Sequence, residues 1–158
     1  MMRFRRHTTA AIGTLLISFL GIAAVHAHHS FAQFDQDTQN IISGEVVRWA
    51  FNNPHVWLYM NVRNQDGSET LWGFEGSGPV NLLRRGINGR TFKPGDAITL
   101  MHCPLRDGRA GGHIGWAQLA DGAFIDVSDG GCDGDEETME RWKQWLENGV
   151  RSNKEVDE

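Results

Sequence analysis

Clustered positive charge and long apolar segments are both scarce in this chain. Its 158 residues include 15 Lys and Arg against 20 Asp and Glu, a formal net charge of −5. Nucleic-acid binding needs a basic patch to meet the phosphates, so this composition argues against such a function. The main apolar run, from about residue 10 to residue 24, is shorter than the roughly 20 residues of a membrane-spanning helix. We therefore expect no membrane span in the mature protein.

Sequence motifs of common enzymes are also missing. The chain has no Cys-x-x-Cys pair, no His-Glu-x-x-His, no Gly-x-Ser-x-Gly and no phosphate-binding loop. We therefore predict a binding protein rather than an enzyme. The only cysteines are Cys103 and Cys132, and in an oxidising compartment two cysteines indicate one disulfide. Closing a loop of about 30 residues stabilises the fold by about 3–4 kcal/mol.

The first 27 residues have the organisation of an export signal. Three arginines within the first six residues precede the apolar run, and Val25-His26-Ala27 follows it. This order predicts a signal peptide at residues 1–27, cleaved after Ala27, and a periplasmic mature protein. Cleavage after Ala23 or Ala24 and an uncleaved anchor are the alternatives. Loss of three arginines would change the formal charge from −5 to −8.

Cleavage after Ala27 would place His28 and His29 at the front of the mature chain. A terminal amine and the imidazole of the same first residue can chelate one metal ion, and imidazole suits copper, zinc, iron and nickel. A rigid site needs another donor, and we choose His55 because Pro54 restricts the backbone just before it. We predict a metal site at His28, His29 and His55, with copper as the metal. The alternative is that His55 only caps a turn.

Alternation of side chains identifies the clearest strand. Val56, Leu58 and Met60 fall on one face, and Trp57 and Tyr59 on the other. This period of two predicts a half-buried strand with partly exposed aromatic rings.

The order of elements predicts the fold class. Three strands, a short helix and two or three further strands occur in the order of an OB-type barrel. We predict an all-β protein, a small OB-like barrel of five to six strands with a short helix between strands 3 and 4; a β-sandwich or another small barrel is the alternative. The predicted organisation is a signal peptide at 1–27, an N-terminal arm at 28–37, the barrel at 38–127, and an acidic loop, amphipathic helix and charged tail at 128–158.

Tryptophans mark the C-terminal region. Met139, Trp142, Trp145 and Leu146 follow helical spacing within residues 136–148, and Gly149 ends the pattern. We expect this added helix to cover an open barrel end or a sheet edge; a partner-docking helix is the alternative.

Aromatic residues on the second and third strands suggest a second kind of site. Trp57, Tyr59 and Trp72, with Glu75 after them, lie where OB barrels bind their ligands. They predict a ligand-binding surface for an envelope ligand or protein, unless the tryptophan helix covers it. Glu75 is alternatively a metal ligand or an acid at a helix start. On neighbouring strands, His102 and His113 could pair across the sheet.

Several motifs resemble one family. They are His28-His29-Ser30-Phe31, Asn53-Pro54-His55-Val56-Trp57 and Trp72-Gly73-Phe74-Glu75-Gly76. Over roughly residues 28–127 the chain resembles an uncharacterised family of small exported bacterial proteins, a domain of unknown function. The resemblance implies a periplasmic, one-domain, barrel-like protein without an assigned activity. The expected function is metal binding, with an aromatic ligand-binding module as the alternative and a copper oxidative enzyme as a third hypothesis.

Overall fold

The computed structural model describes residues 31–132 and 135–156. The predicted signal peptide at residues 1–27 and the predicted ligands His28 and His29 lie outside the described residues. The strands are β1 (Asn40–Ala50), β2 (Trp57–Arg63), β3 (Glu69–Glu75), β4 (Ala97–Pro104), β5 (Gly111–Gln118) and β6 (Phe124–Asp126). The helices are α1 (Pro79–Arg84) and α2 (Glu136–Asn148), with 3-10 turns at Phe31–Gln33 and Asn153–Glu155. No helix among these residues is long and apolar enough to cross a membrane.

Five strands close into a mixed barrel. Their order is β3-β2-β1-β4-β5, and a parallel pairing between β3 and β5 completes the ring, while β6 adds to β5. Closure removes the open edges that a five-stranded sheet would otherwise expose. The predicted all-β, OB-like barrel with a helix between strands 3 and 4 is confirmed.

The barrel interior is filled by the apolar face that the alternation of β2 predicts. Val56, Leu58 and Met60 are fully buried, whereas the neighbouring Trp57 is 36% exposed. A Cβ atom on Gly44 would lie only 2.3 Å from the Asn61 carbonyl oxygen. Glycine therefore allows β1 and β2 to approach each other closely at this point.

Helix α2 lies on the outer face of the barrel. Asp135 caps its first turn, because its carboxylate accepts a hydrogen bond from the Thr138 backbone N–H at 2.7 Å. Trp142 is fully buried in a cluster with Ile41 of β1 and Met101 of β4. The predicted helix is thus present. It covers the outer face of β1 and β4 and extends to the sheet edge at β6, where Phe124 lies edge-on to Trp142 at 5.3 Å between ring centroids.

The predicted disulfide is present. Cys103 in β4 and Cys132 are bonded, with their Cα atoms 5.5 Å apart, and both are buried beside Phe34. The bond therefore ties the segment after β6 to the barrel wall.

Both described ends of the chain are fastened to the barrel. Phe34 of the N-terminal arm bridges to Leu105, and the arm continues into β1. Near the C-terminus, the side-chain amide of Asn153 donates to the Asp37 carbonyl oxygen at 2.8 Å and accepts from the Gln39 backbone N–H at 3.0 Å. The C-terminal tail therefore holds in place the segment in which the arm leads into β1.

Candidate ligand site at the barrel seam

We call the parallel pairing of β3 with β5, which closes the barrel, the seam. Two buried polar side chains lie on the outer face of the barrel at the seam. Glu75 ends β3, and its Cα is the ladder partner of the His113 Cα in β5. Neighbouring residues at the same register share a face of a sheet. Glu75 is 6% exposed and His113 is 1% exposed, because the arm beginning at Phe31 packs over this part of the seam.

Four side chains meet under the arm. His55 Nδ1 lies 2.8 Å from Glu75 Oε1 and 3.8 Å from Asp129 Oδ2. His113 Nε2 lies 2.9 Å from Asp129 Oδ1. Gln33 donates its side-chain amide to Glu75 Oε2 at 3.4 Å. We call these four residues, His55, Glu75, His113 and Asp129, the seam cluster.

The contact between His113 Nε2 and Asp129 Oδ1 is short enough for a charge-assisted hydrogen bond when Nε2 carries a proton. His113 Nδ1 is also buried without a hydrogen-bond partner among residues 31–132 and 135–156. An imidazole buried in this way costs free energy that a bound ligand would recover.

Local structure explains how His55 and Asp129 arrive at the seam. The Asn53–Pro54 peptide is cis, and the chain after it pairs with the end of β3: the Val56 N–H donates to the Ser77 carbonyl oxygen at 3.1 Å. The Ser77 N–H in turn donates to the Val127 carbonyl oxygen at 2.9 Å. These two bonds align the residues before β2 with those after β6, so both side chains face the same seam.

Asp129 carries a negative charge in the seam cluster. Burial of Asp129 acts to raise its pKa, but the hydrogen bond from His113 and the positive charges of His113 and His55 outweigh burial, so the pKa is lowered. The carboxylate is therefore ionised at neutral pH and is a ready electrostatic partner for a cation.

A cavity of about 10 Å³ lies within the cluster. Its remaining walls come from the arm, namely Phe31, Gln33 and Phe34. That volume corresponds to about one water molecule or one small ion. Imidazole and carboxylate are both donors for first-row transition metals. However, the described part of the chain contains no group of three or more His, Cys, Asp or Glu side chains arranged to hold a metal ion.

The structure brings together some of the predicted site residues and separates others. His55 and Glu75 both belong to the seam cluster. Trp57 and Tyr59 lie on the outer face with their rings stacked, 6.2 Å between centroids. Trp72 packs towards the interior, its ring 5.8 Å from that of Phe74. Helix α2 does not cover Trp57.

His102 and His113 do not pair, because they lie on opposite faces of the barrel wall. His102 contacts the interior ring of Phe74 at 5.0 Å between centroids, whereas His113 contacts the arm ring of Phe31 at 5.1 Å. Sequence reasoning missed His113 and Asp129 as site residues. The one available signal was the cysteine pair, since a bond between Cys103 and Cys132 brings the residues just before Cys132 to β4 and its neighbour β5.

A family of unknown function, DUF6152, matches residues 16–114. Comparisons with curated proteins and with solved structures give no match. The matched region includes His55, Glu75 and His113, while Asp129 and helix α2 follow it. Because the match covers more than half of the chain, this protein belongs to DUF6152, a family of unknown function.

Proposed function

We propose that this chain is a periplasmic protein that binds a transition-metal ion at the seam cluster, and that copper is the ion it binds most tightly. In this proposal the mature chain begins at His28, and its terminal amine and imidazole complete the ligand set. The observation that carries the proposal is the enclosure of a cavity of about 10 Å³ by two imidazoles and two carboxylates directly beneath Phe31. Export is supported by the basic, apolar and small-residue order of residues 1–27.

The covalent chain supports participation of the N-terminus. Phe31 lies against His113, and only two residues, His29 and Ser30, separate it from His28. Consecutive Cα atoms are about 3.8 Å apart, so the Cα of His28 is at most about 11 Å from that of Phe31. In this proposal the terminal amine and one or two further imidazoles extend to the cluster and supply the donors that its four side chains lack on their own.

The donor types favour copper. Nitrogen donors bind Cu²⁺ more strongly than other divalent first-row ions, with zinc and nickel behind it. Calcium and magnesium prefer sites made of oxygen atoms alone, and two imidazoles in the cluster disfavour them. The Glu75 and Asp129 carboxylates would balance the charge of the ion or accept hydrogen bonds from the ligating imidazoles.

The test begins with the secreted protein. Intact-mass analysis should give His28 as the first residue, and Cu²⁺ titration by calorimetry should give one ion per chain. A variant with three glycines inserted before His28 keeps every side chain but removes the amine–imidazole chelate, and it places no histidine at the third position, where the terminal amine and backbone amides would form a new Cu²⁺ site. We expect it to bind Cu²⁺ at least about tenfold more weakly, and we expect the same of His55→Gln.

Leu71→Ala is the matched control, because Leu71 is 55% exposed on β3 and its loss should leave the titration unchanged. A mature chain beginning at Val25 would contradict the chelate. Equal affinity of His55→Gln and the unaltered protein would contradict the use of the seam cluster.

A further inference from the structure

A second surface feature, made of two aromatic rings and a groove, lies beside the seam cluster. Trp57 and Tyr59 present their rings side by side on the outer face of β2, at an interplanar angle of 21°. Gly73 of β3 is the ladder partner of Tyr59. A Cβ atom there would lie 3.3 Å from the Tyr59 ring and 3.8 Å from the Trp57 ring. Glycine therefore leaves this aromatic platform, Trp57 and Tyr59, with no side chain projecting from β3 between the rings.

A groove runs from the platform across the seam. It has a volume of about 230 Å³ and is lined by Trp57, Gly73, Leu105, Arg109, Ala110 and Gly112, with Gln33 and Phe34 from the arm. Pockets for drug-sized ligands hold about 300–1,000 Å³. This groove therefore suits one ring of a longer ligand whose other units lie along the open platform.

Arginines stand at both ends of this surface. The Arg48 guanidinium lies 5.8 Å from the centroid of the Tyr59 ring. Arg109 lines the groove, and its side chain is 73% exposed. Its bond to Asp107 uses Nε, one of the five N–H donors of a guanidinium. Two cationic groups flanking the rings, on a chain with a net charge of −5, favour a ligand that carries carboxylates.

We propose that the platform and groove bind an acidic oligosaccharide. One pyranose ring stacks on Trp57, because the C–H groups of a sugar face are attracted to the negative face of an aromatic ring. Its carboxylate accepts hydrogen bonds from Arg109, whose fork matches carboxylate geometry. Gln33 supplies an amide for a hydroxyl group. A single-stranded nucleic acid would also stack on aromatic rings, but its phosphates need a longer basic track than two arginines provide.

The two side chains that the test changes, Trp57 and Arg109, lie outside the seam cluster, although Gln33 and Phe34 of the arm line both sites. The experiment therefore uses the secreted protein in a buffer that contains a metal chelator, so that bound metal does not contribute to the measured affinity. The probes are a hexamer of galacturonic acid, a neutral hexamer of N-acetylglucosamine and a hexamer of thymidylate. Tryptophan fluorescence and calorimetry report binding.

We expect the galacturonate hexamer to bind more tightly than either other probe. Trp57→Ala should weaken its binding by about tenfold or more, as expected for loss of a stacking partner. Arg109→Gln should weaken it by about two- to fivefold, the range for an exposed charge pair. Leu71→Ala, on the same face as Gly73 but away from the groove, should have no effect.

Three outcomes would overturn the proposal. The first is that the galacturonate hexamer does not bind. The second is that the neutral sugar or the thymidylate binds as well as the acidic sugar does. The third is that Trp57→Ala, shown by circular dichroism to be folded, binds as the unaltered protein does. Because metal is absent throughout, none of these results bears on copper binding at the seam cluster.

Discussion

Acidification should destabilise this protein through one buried histidine, His102. Its ring is 1% exposed and lies edge-on to Trp72 and Phe74. Burial lowers its pKa from the ordinary 6.5 to about 4, although a backbone hydrogen bond at Cys103 acts to raise it. Between these two pH values the unfolded chain binds a proton that the folded chain excludes. The free energy of unfolding must therefore fall as the pH falls from about 6.5 to 4.

The size of this effect follows from the same two values. At pH 4.5 the unfolded histidine is almost fully protonated and the native one mostly neutral, so the folded state loses about 2–3 kcal/mol relative to pH 7.5. The lowered pKa of Asp129 acts in a lower range: its contribution is present above the ordinary value of 3.8 and is lost as the pH falls further. The loss of stability through His102 therefore occurs at higher pH than the loss through Asp129.

Urea denaturation at four pH values across this range, followed by tryptophan fluorescence, measures the loss. With m of about 1–3 kcal/mol per molar for a small protein, the midpoint should move by about 1 M or more. His102→Asn removes the titrating group. This variant should be less stable at every pH, but its stability should depend less steeply on pH than that of the unaltered protein. Because the substitution changes only residue 102, the difference between the two pH profiles reports the contribution of His102. Parallel pH profiles for the two proteins would refute the reasoning.

Three further changes should each lower the free energy of unfolding, and denaturant titration at pH 7.5 measures all of them. Trp142→Ala empties the fully buried contact between α2 and the barrel and should cost about 3–5 kcal/mol; a loss below about 1 kcal/mol would mean that α2 does not pack there. Gly112→Ala should cost at least about 1–3 kcal/mol, because its Cβ would lie 2.4 Å from the Cys103 carbonyl oxygen; Gly86→Ala, with φ of +80° in open space, should cost about 1 kcal/mol and is the control. Replacing both Cys103 and Cys132 by alanine opens a loop with a sequence separation of 29 residues and should cost about 3–4 kcal/mol; stability unchanged by the double replacement would contradict the loop-closure argument.

Local patterns in the sequence were sufficient for much of the fold. The alternation in β2 and the helical spacing around Trp142 each reflect an element that packs one of its faces against an apolar surface. Strand β4 shows where such patterns fail. Leu100, Met101, His102 and Cys103 are all buried, because the barrel interior covers one face and α2 or the disulfide covers the other. A strand buried on both faces has no alternation to read, so the sequence could not indicate that His102 points inward.

The candidate site was only half predictable for a different reason. His55 stood out because it follows Asn53-Pro54 and precedes a clear strand. His113 joins it through the parallel pairing of β3 with β5, a contact between distant segments that leaves no local pattern. Asp129 lies in a loop whose position depends on backbone bonds to Val127 and on the disulfide. Trp72 was grouped with Trp57 by composition, yet its register opposite Met60 places it on the interior face.

The fastening of the arm by Asn153 has a practical consequence for anyone who purifies this protein. The last described residue, Val156, borders the same surface depression as Gln36 and Asp37, so the end of the described chain lies next to the arm. A polyhistidine tag at either end would add foreign imidazoles that compete for Cu²⁺, and one at the mature N-terminus would also convert the amine of the proposed chelate into an amide. The number of Cu²⁺ ions bound per chain should therefore be measured on untagged protein, or on protein whose histidine-free tag has been removed before the titration.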